Sequence, residues 1–374
     1  MEAHHRTKPL PSLLMSASQA SPAVSLSKSS RSRRTVEITL ALVLAAVIAG
    51  IFWGEQRYPA LLKKLHAGPS IKVSGAISFD ALLPVKPAMP LAVRVGRTSV
   101  NWIWTNRFGM YFAIPFGAAM MTFLARSRRP KRFEHAAVNV LCGAVAGAPM
   151  GVCSNCATPI GQGLLVSGAS TRMTVAAMIS SPSFNPVVVA MAFVLFPWQV
   201  AAARVLVPAL LLALLPLLIP ESKPAVNTLD LPDWDAAART PVLAVLSAFL
   251  GNLFRLTLLT LPWMLLAAVL GALAAELIPA YGTNAPVSVL GVLAVAILGT
   301  LLPVPMAFDV GLAWVLYKAG VPTPYVATLL CTLGIVSVYS LTALGQKLGA
   351  KAAAKLAGAS ALLGSIVGVA FFGA

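Results

Sequence analysis

The sequence predicts an all-α polytopic membrane protein with about eight or nine transmembrane helices. Hydrophobic residues make up 58% of the chain and charged residues only 10%, whereas about 25% of the residues of a soluble domain are charged. Apolar runs of roughly 20 residues, the length that crosses a bilayer, recur along the chain. Two regions interrupt them with proline, glycine and polar residues. This predicts two internally repeated units, each with a broken helix and a short half-helix.

The N-terminal part of the chain predicts a tail followed by a membrane anchor. Residues 1–35 are rich in serine and basic residues and lack periodicity, which is typical of a disordered cytoplasmic tail. The apolar run Val36–Gly54 is interpreted as a retained first span, because no small-residue cleavage site of a secretory signal follows it. Residues 36–101 then comprise this span and a periplasmic or interfacial segment.

The rest of the chain predicts two permease repeats, 102–220 and 241–374, joined by an acidic loop, 221–240. When Gly168 is aligned with Gly320, three further identities coincide: Leu141 with Leu293, Ala144 with Ala296, and Gly147 with Gly299. Both repeats then have the same order of span, break, short helix, glycine turn and interrupted span. The sequence leaves open whether the two repeats are parallel or inverted.

The net charge of +17 indicates membrane topology rather than nucleic-acid binding. Basic residues cluster beside apolar runs, at Lys28–Arg34 and Arg126–Arg132, and such clusters mark cytoplasmic loops. We therefore expect a bacterial-type inner-membrane protein with a cytoplasmic N-terminus and no nucleic-acid partner. The sequence has no phosphate-binding Gly-Lys-Ser/Thr loop and no histidine pair at metal spacing, so no cofactor and no metal site are predicted.

The organising stretch of the sequence is Gly151–Pro186, which contains a C-x-x-C motif at Cys153 and Cys156. Thiolates are soft ligands that suit thiophilic metals and metalloids, and a pair at this spacing also suits redox chemistry. Buried cysteines can equally act as small apolar packing residues. The sequence leaves these three roles open.

The same stretch predicts a helix N-terminus within the membrane. Ser154 and Asn155 are expected to cap a short helix that starts near Ala157, with Pro159 in its first turn. The exposed N–H groups of such an end suit an anionic or polar substrate. The candidate substrate-binding residues are those of the motif and of the following break: Cys153, Ser154, Asn155, Cys156, Pro159, Ser181, Pro182, Asn185 and Pro186.

The second repeat predicts a matching break at Pro303 and Pro305, before a short helix at Met306–Lys318. Asp309 lies at the start of this helix. An acidic side chain inside apolar sequence is a candidate for proton relay or ion coupling. The alternative is a carboxylate that is stabilised only by the helix dipole.

Three segments resemble the YraQ-type predicted permeases, the family that includes the ArsP organoarsenical exporters. They are V-C-S-N-C-A-T-P-I at 152–160, S-S-P-S-F-N-P-V-V at 180–188 and G-T-L-L-P-V-P-M-A-F-D-V at 299–310. The resemblance covers about Phe108–Leu344 and implies a helical permease fold. The second cysteine follows Asn155, one residue later than in the Cys-Ser-Cys-Gly-like form of the arsenical exporters. The resemblance therefore implies the fold rather than the substrate.

These observations favour a secondary transporter, not an enzyme, that exports a small thiophilic or anionic solute by alternating access. The alternatives are a membrane thiol-disulfide oxidoreductase that uses Cys153 and Cys156, and a channel-like or non-transporting membrane subunit. The expected partners are the lipid bilayer and a small-molecule or ionic solute, with a thiophilic metalloid among the candidates. A homo-oligomer or an accessory subunit is left open.

Overall fold

The structure is a computed structural model that describes residues 28–59, 61–62, 82–127, 133–166, 168–221, 240–281, 286–304 and 307–373. All regular secondary structure in these ranges is helical. Residues 1–27 of the predicted tail, 1–35, lie outside the described ranges. Its last residues already belong to the first helix, α1 (Lys28–Phe52), which continues into a π-helical turn, Trp53–Arg57.

A long helix begins within the segment 36–101, which was expected to be interfacial after the first span. This helix, α2 (Leu91–Arg126), starts directly after Pro90. The described prolines of the segment all precede Leu91, so no residue of the segment prevents helix formation from that point onward. Residue 60 and residues 63–81 of this segment lie outside the described ranges.

The remaining helices have the same order in both halves of the chain, as the repeat pattern predicts. In the first half, α2 is followed by α3 (Ala136–Gly147, extended by the 3-10 turn Ala148–Met150), α4 (Ser154–Val166), α5 (Thr171–Ser183), α6 (Pro186–Leu195) and α7 (Trp198–Leu218). In the second half, the corresponding helices are α8 (Pro241–Tyr281), α9 (Val289–Leu301), α10 (Phe308–Lys318), α11 (Thr323–Thr332), α12 (Val338–Leu348) and α13 (Ala350–Ala370). The two predicted glycine turns are present, because Gly168 and Gly320 adopt left-handed backbone angles, with φ of 84° and 82°.

Helices α3 and α4 form a hairpin that turns back inside the molecule. Their order along the chain places the start of α3 beside the end of α2. Helix α4 then runs parallel to α2, because Gly109 lies against Cys156 and Gly163 lies against Met121. Helix α4 therefore returns toward the side from which α3 entered. The tip of this hairpin is the segment 151–153, which we call the first tip.

Helices α9 and α10 form the corresponding hairpin in the second half. Helix α9 runs parallel to α11, since Gly291 lies against Tyr325 and Gly299 lies against Thr332. Helix α10 is antiparallel to α11, to which the Gly320 turn joins it. The tip of this hairpin, 302–307, is the second tip, and Pro305 and Met306 within it lie outside the described residues.

The two halves are inverted with respect to each other. The corresponding helices α2 and α8 pack antiparallel: the amide of Asn252 donates to the Thr122 hydroxyl at 3.0 Å, and the Ser99 hydroxyl donates to the Ala268 carbonyl at 3.4 Å. The ends of α2 and α8 therefore lie on opposite sides of the molecule. The two hairpins enter from these opposite sides, so their tips meet in the interior.

The number of spans is smaller than the predicted eight or nine. In the described part of the chain, five helices are long and apolar enough to cross a membrane, and the bent pair α5–α6 raises this number to six. The sequence-based number also includes α3 and α9, which are shorter apolar helices and single arms of hairpins. It also counted α11 and α12 as one apolar span, although the chain breaks between them at 333–337.

The acidic loop between the halves is described only at its ends, because residues 222–239 lie outside the described ranges. Glu221 at its start has a structural role. Its carboxylate accepts hydrogen bonds from the Ser170 hydroxyl at 2.9 Å and from the Thr171 backbone N–H at 3.0 Å. Glu221 thus stabilises the N-terminus of α5, where the helix dipole favours a negative charge.

Candidate functional site at the hairpin tips

The first tip is held by polar side chains from the break between α5 and α6. The Ser181 hydroxyl lies 3.2 Å from the Val152 N–H and 3.4 Å from its carbonyl oxygen. The Asn185 amide donates to the Gly151 carbonyl at 3.0 Å and accepts from the Val187 N–H at 3.0 Å. These bonds satisfy backbone groups that the two breaks release, which is what irregular backbone inside a membrane requires.

The two prolines of that break have different positions. Pro182 is buried inside the last turn of α5, whereas Pro186 is the first residue of α6, where a missing N–H has no cost. The axes of α5 and α6 differ by 41°. The kink that the sequence predicts is therefore present. Asn185 and Ser181 are fully buried and hydrogen-bonded to the backbone in this conformation.

The short helix α4 begins at Ser154 rather than near Ala157, which corrects the predicted cap. Cys153 directly precedes the helix, and its sulfur accepts from the Cys156 N–H at 3.3 Å. Ser154 and Asn155 therefore lie in the first turn, and Pro159 lies in the second turn, where the helix lacks its N–H. The error arose because capping rules favour Ser and Asn oxygens, and here a cysteine sulfur takes that role.

The two thiols of the C-x-x-C motif are in contact with each other. Their sulfurs are 2.9 Å apart, and both residues are buried. A Cβ atom at Gly109 on α2 would lie only 2.7 Å from the Cys156 sulfur, so the glycine provides the space for this thiol. All four cysteines are described and none is in a disulfide. Among the described residues, no group of three or more His, Cys, Asp or Glu side chains could hold a metal ion.

Asn155 connects the first tip to the second half of the protein. Its amide donates to the Val304 carbonyl in the second tip at 3.3 Å, and its carbonyl oxygen accepts from the Ser337 hydroxyl at 2.9 Å. Ser337 caps α12 through a capping box with Ser340. The N-termini of α4 and α12 therefore face each other across the boundary between the halves.

Ser337 was not among the predicted site residues, although the repeat alignment contained a signal for it. The alignment that pairs Gly168 with Gly320 also pairs Asn185 with Ser337. Each of these residues caps the helix after the second break of its half. Asn185 was selected from its polar surroundings, and its counterpart has the same local function.

Asp309 forms a buried ion pair with a residue of the other half. Its carboxylate is 2.8 Å from the guanidinium of Arg204 on α7, and the two residues are 3% and 1% exposed. Asp309 also lies in the first turn of α10, where the helix dipole favours a negative charge. The Nε and Nη1 atoms of Arg204 have no hydrogen-bond partner among the described residues. The structure thus shows a buried ion pair at Asp309, and its predicted coupling role stays a prediction.

The backbone around Asp309 is shaped for this pair. Ala307, which precedes α10, has a left-handed φ of 62°, a conformation rare for a residue with a side chain. Gly334 in the break after α11 also has a positive φ, 81°, and a Cβ atom there would lie 3.4 Å from the Asp309 carboxylate. Of the two prolines of the predicted break, Pro303 is buried at the second tip. Pro305 lies outside the described ranges.

Arg57 is a further charged residue near the first tip that sequence reasoning missed. It belongs to the π-helical turn that follows α1 and is only 8% exposed. Its guanidinium lies over the Phe52 ring at 4.3 Å and within electrostatic range of Cys153 and Cys156. The residue lies at the end of the first span, in a segment that was expected to be interfacial. Its position gave no signal of contact with a motif a hundred residues away in the chain.

Inverted halves that meet at broken helices are an arrangement found in many membrane transporters. This chain belongs to the ArsP_1 family of predicted permeases, whose model matches residues 110–372. The match includes both hairpins and confirms the family resemblance, and it begins after α1 and Arg57. The family indicates transport rather than catalysis. No curated protein and no solved structure matches the sequence significantly.

Proposed function

We propose that this permease is a secondary transporter of a bacterial-type inner membrane, with a cytoplasmic N-terminus. In this proposal it exports a small thiophilic or anionic solute by alternating access. The solute binds where the two hairpin tips meet. The two inverted halves move relative to each other around this point and open it to one side of the membrane at a time.

The hydrogen bonds of Asn155 carry this proposal. They join the first tip to the second tip and to the N-terminus of α12. A relative movement of the halves must break or exchange these bonds, so a solute that replaces one of them also changes the contact between the halves. This gives a solute the differential interaction with two conformations that transport requires.

The chemistry of the tips supports a small anionic or thiophilic solute. The N-termini of α4 and α12 present partial positive charge toward the same interior region, which favours an anion. The thiols of Cys153 and Cys156 are the soft ligands that thiophilic elements prefer. Ser181, Pro182, Asn185 and Pro186 serve in this proposal to shape the tip through its backbone.

The ion pair between Asp309 and Arg204 is the proposed coupling site. A proton on Asp309 removes the negative charge and leaves the buried guanidinium without its counter-charge. Loss of one partner of a buried pair costs about 3–5 kcal/mol. Protonation therefore favours a conformation in which Arg204 reaches water or an anionic solute, and this links proton binding to the movement of the halves.

The test is solute accumulation in everted membrane vesicles, in which export appears as uptake. The solutes are sulfate, phosphate, thiosulfate, Ag⁺ and Cd²⁺, each with and without a proton gradient. We expect saturable, gradient-dependent uptake of at least one solute, which Asp309→Asn abolishes and Cys142→Ser leaves intact. The absence of saturable uptake of every solute by the unaltered chain would contradict the proposal.

The double variant Cys153→Ser/Cys156→Ser separates the two solute classes. If the thiols bind the solute, uptake is lost in this variant, whereas Cys142→Ser is the matched control with a cysteine outside the tip. Uptake that persists in the double variant and fails in Asp309→Asn would assign the thiols to packing and favour an anionic solute.

A second candidate, thiol–disulfide exchange, is favoured by one observation, the contact between the sulfurs of Cys153 and Cys156. In that case the dithiol is oxidised to the disulfide while a partner disulfide or a quinone takes up the two electrons and two protons, and a partner dithiol reduces the pair again. The redox state of the pair, measured by gel shift after alkylation, would then respond to an added oxidant during turnover. A pair that stays reduced while the solute accumulates would exclude this function.

A further inference from the structure

Arg57 is held beside the first tip by the packing of its π-helical turn. The indole N–H of Trp53, in the same π-helical turn, donates to the Pro149 carbonyl at 2.6 Å. The ring of Phe52 stacks on Phe112 of α2 with centroids 3.9 Å apart, and the Arg57 guanidinium lies 4.3 Å from the centroid of the Phe52 ring. Single π-helical turns are rare and often occur at functional sites. This turn fixes a cation beside the hairpin tip.

The Arg57 side chain extends toward the tip itself. A Cβ atom built on Gly151 would lie 3.5 Å from Arg57 Cδ and 3.7 Å from Nε. Gly151 has a left-handed φ of 58° and lies just before the N-terminus of α4. The Arg57 side chain therefore lies beside the segment that leads into the N-terminus of α4, the end at which backbone N–H groups lack helical partners.

Two buried polar groups, one in the π-helical turn and one in the first turn of α4, lack a hydrogen-bond partner in the described part of the chain. Arg57 Nε and the Ser154 hydroxyl oxygen have no hydrogen-bond partner among the residues that the structure describes, and both residues are more than nine-tenths buried. A buried polar group without a partner is costly, and more so when it is charged. The ion pairs in the described part of the chain do not include Arg57, and Glu55 in the same turn is exposed.

We propose that Arg57 and Ser154 form an anion-binding subsite at the N-terminus of α4, which takes the oxyanion group of a small solute. The inference rests on the proposed transport function, since the solute is the species that this permease carries. The guanidinium supplies the charge, and the Ser154 hydroxyl supplies a hydrogen bond beside the partial positive charge of the helix N-terminus. The neighbouring thiols then contact the remainder of the solute.

This subsite gives the first span a role in binding. The family model matches residues 110–372, so Arg57 lies outside the matched region. A charged residue buried in a membrane protein is a functional candidate by default, because its burial is costly. In this account, the first span contributes the charge that selects an anion at a tip that the two halves build.

The experiment is equilibrium binding to the purified full-length protein in detergent, with radiolabelled sulfate, phosphate and thiosulfate at constant ionic strength. We expect saturable binding of at least one of them. Removal of a charged hydrogen-bond donor in Arg57→Gln should weaken it about 10- to 100-fold. Arg57→Lys should show an intermediate loss, because the charge remains while the guanidinium geometry is lost. Ser154→Ala should weaken binding about 3- to 10-fold.

The matched control is Arg33→Gln, which removes an exposed arginine from α1, and we expect its affinity to equal that of the unaltered chain. Size-exclusion chromatography verifies that each variant is folded. If Arg57→Gln does not fold, Arg57→Lys provides the test. Equal binding by the unaltered chain and both Arg57 variants would overturn the proposal. So would the absence of binding of all three anions to the unaltered chain.

Thiol alkylation distinguishes the remaining alternative, in which Arg57 stabilises a thiolate of Cys153 or Cys156 and no solute anion. A bound anion should slow alkylation by iodoacetamide in the unaltered chain but not in Arg57→Gln. If Arg57→Gln slows alkylation and leaves anion binding intact, the subsite is refuted. Because binding in detergent requires no transport, anion binding without vesicle uptake would contradict the transport proposal and leave the subsite in place.

Discussion

The two hairpin tips have the same architecture and different chemistry. The first tip contains two thiols and an amide, and its polar groups bond mainly to backbone. The second tip contains buried proline and valine, followed by a carboxylate that is paired with an arginine of the other half. One backbone plan therefore carries thiols in one half and a buried ion pair in the other. Under the proposed function, the first serves solute binding and the second serves coupling.

The comparison also shows how each tip depends on the opposite half. Asn155 of the first half bonds to Val304 and Ser337 of the second, whereas Asp309 of the second half pairs with Arg204 of the first. Each tip is thus completed by residues of the other half. The predictions below test whether binding and coupling are divided between the tips in this way.

The largest effect is expected at the ion pair of the second tip. Asp309→Asn leaves the Arg204 guanidinium buried without a counter-charge and should destabilise the protein by about 3–5 kcal/mol. Arg204→Gln should lower the free energy of unfolding by less. It leaves a buried carboxyl group, which can take up a proton and become neutral, whereas a buried guanidinium cannot lose its charge. Thermal unfolding in detergent measures both, and a smaller loss in Asp309→Asn than in Arg204→Gln would contradict the assignment.

The contact between the halves at Asn155 is expected to have an intermediate effect. Asn155→Ala removes two hydrogen bonds and leaves the Ser337 hydroxyl and Val304 carbonyl buried, which should cost about 2 kcal/mol. A double-mutant cycle with Ser337→Ala should give a coupling energy of about 0.5–1.5 kcal/mol. Strictly additive unfolding energies would show that this contact does not link the halves.

The space beside Cys156 is expected to have a smaller effect. Gly109→Ala places a methyl group 2.7 Å from the sulfur, so the thiol must move, and the cost should be about 1 kcal/mol. The matched control is Gly96→Ala on the same helix, where no atom lies within 4 Å of the added Cβ. A loss of thermal stability in Gly96→Ala equal to that in Gly109→Ala would remove the steric explanation.

The smallest effect on stability is expected for Cys153→Ser. The serine oxygen can replace the cysteine sulfur as the cap of α4, so the unfolding energy should change by less than about 0.5 kcal/mol. Uptake of a thiophilic solute should nevertheless be lost. The combination of unchanged melting temperature and lost uptake would assign the thiol to binding, and unchanged uptake would assign it to packing.

The sequence predicted the features that local chemistry determines. Pro182 and Pro186 indicated the bend between α5 and α6, and Gly168 and Gly320 indicated the two turns. Asp309 was identified because a carboxylate in an apolar segment is unusual. The fold class followed from composition alone.

The features that depend on long-range contacts could not be predicted. The pairing of Asp309 with Arg204, and the contact of Asn155 with Ser337, follow from the inverted packing of the halves, which the sequence left open. The approach of Arg57 to Gly151 joins two segments with no shared pattern. The cap of α4 was misplaced for a local reason, because a sulfur atom serves where an oxygen was expected.

The proposed mechanism requires that the place where the two hairpin tips meet opens alternately to the two sides of the membrane. The most direct measurement is labelling of Cys153 by a membrane-impermeant methanethiosulfonate reagent in right-side-out and everted vesicles, after Cys142, Cys156 and Cys331 have been replaced by serine. The account predicts labelling from each side, with saturating solute on one side lowering the rate from the other. Labelling from one side only, whatever the solute, would contradict it.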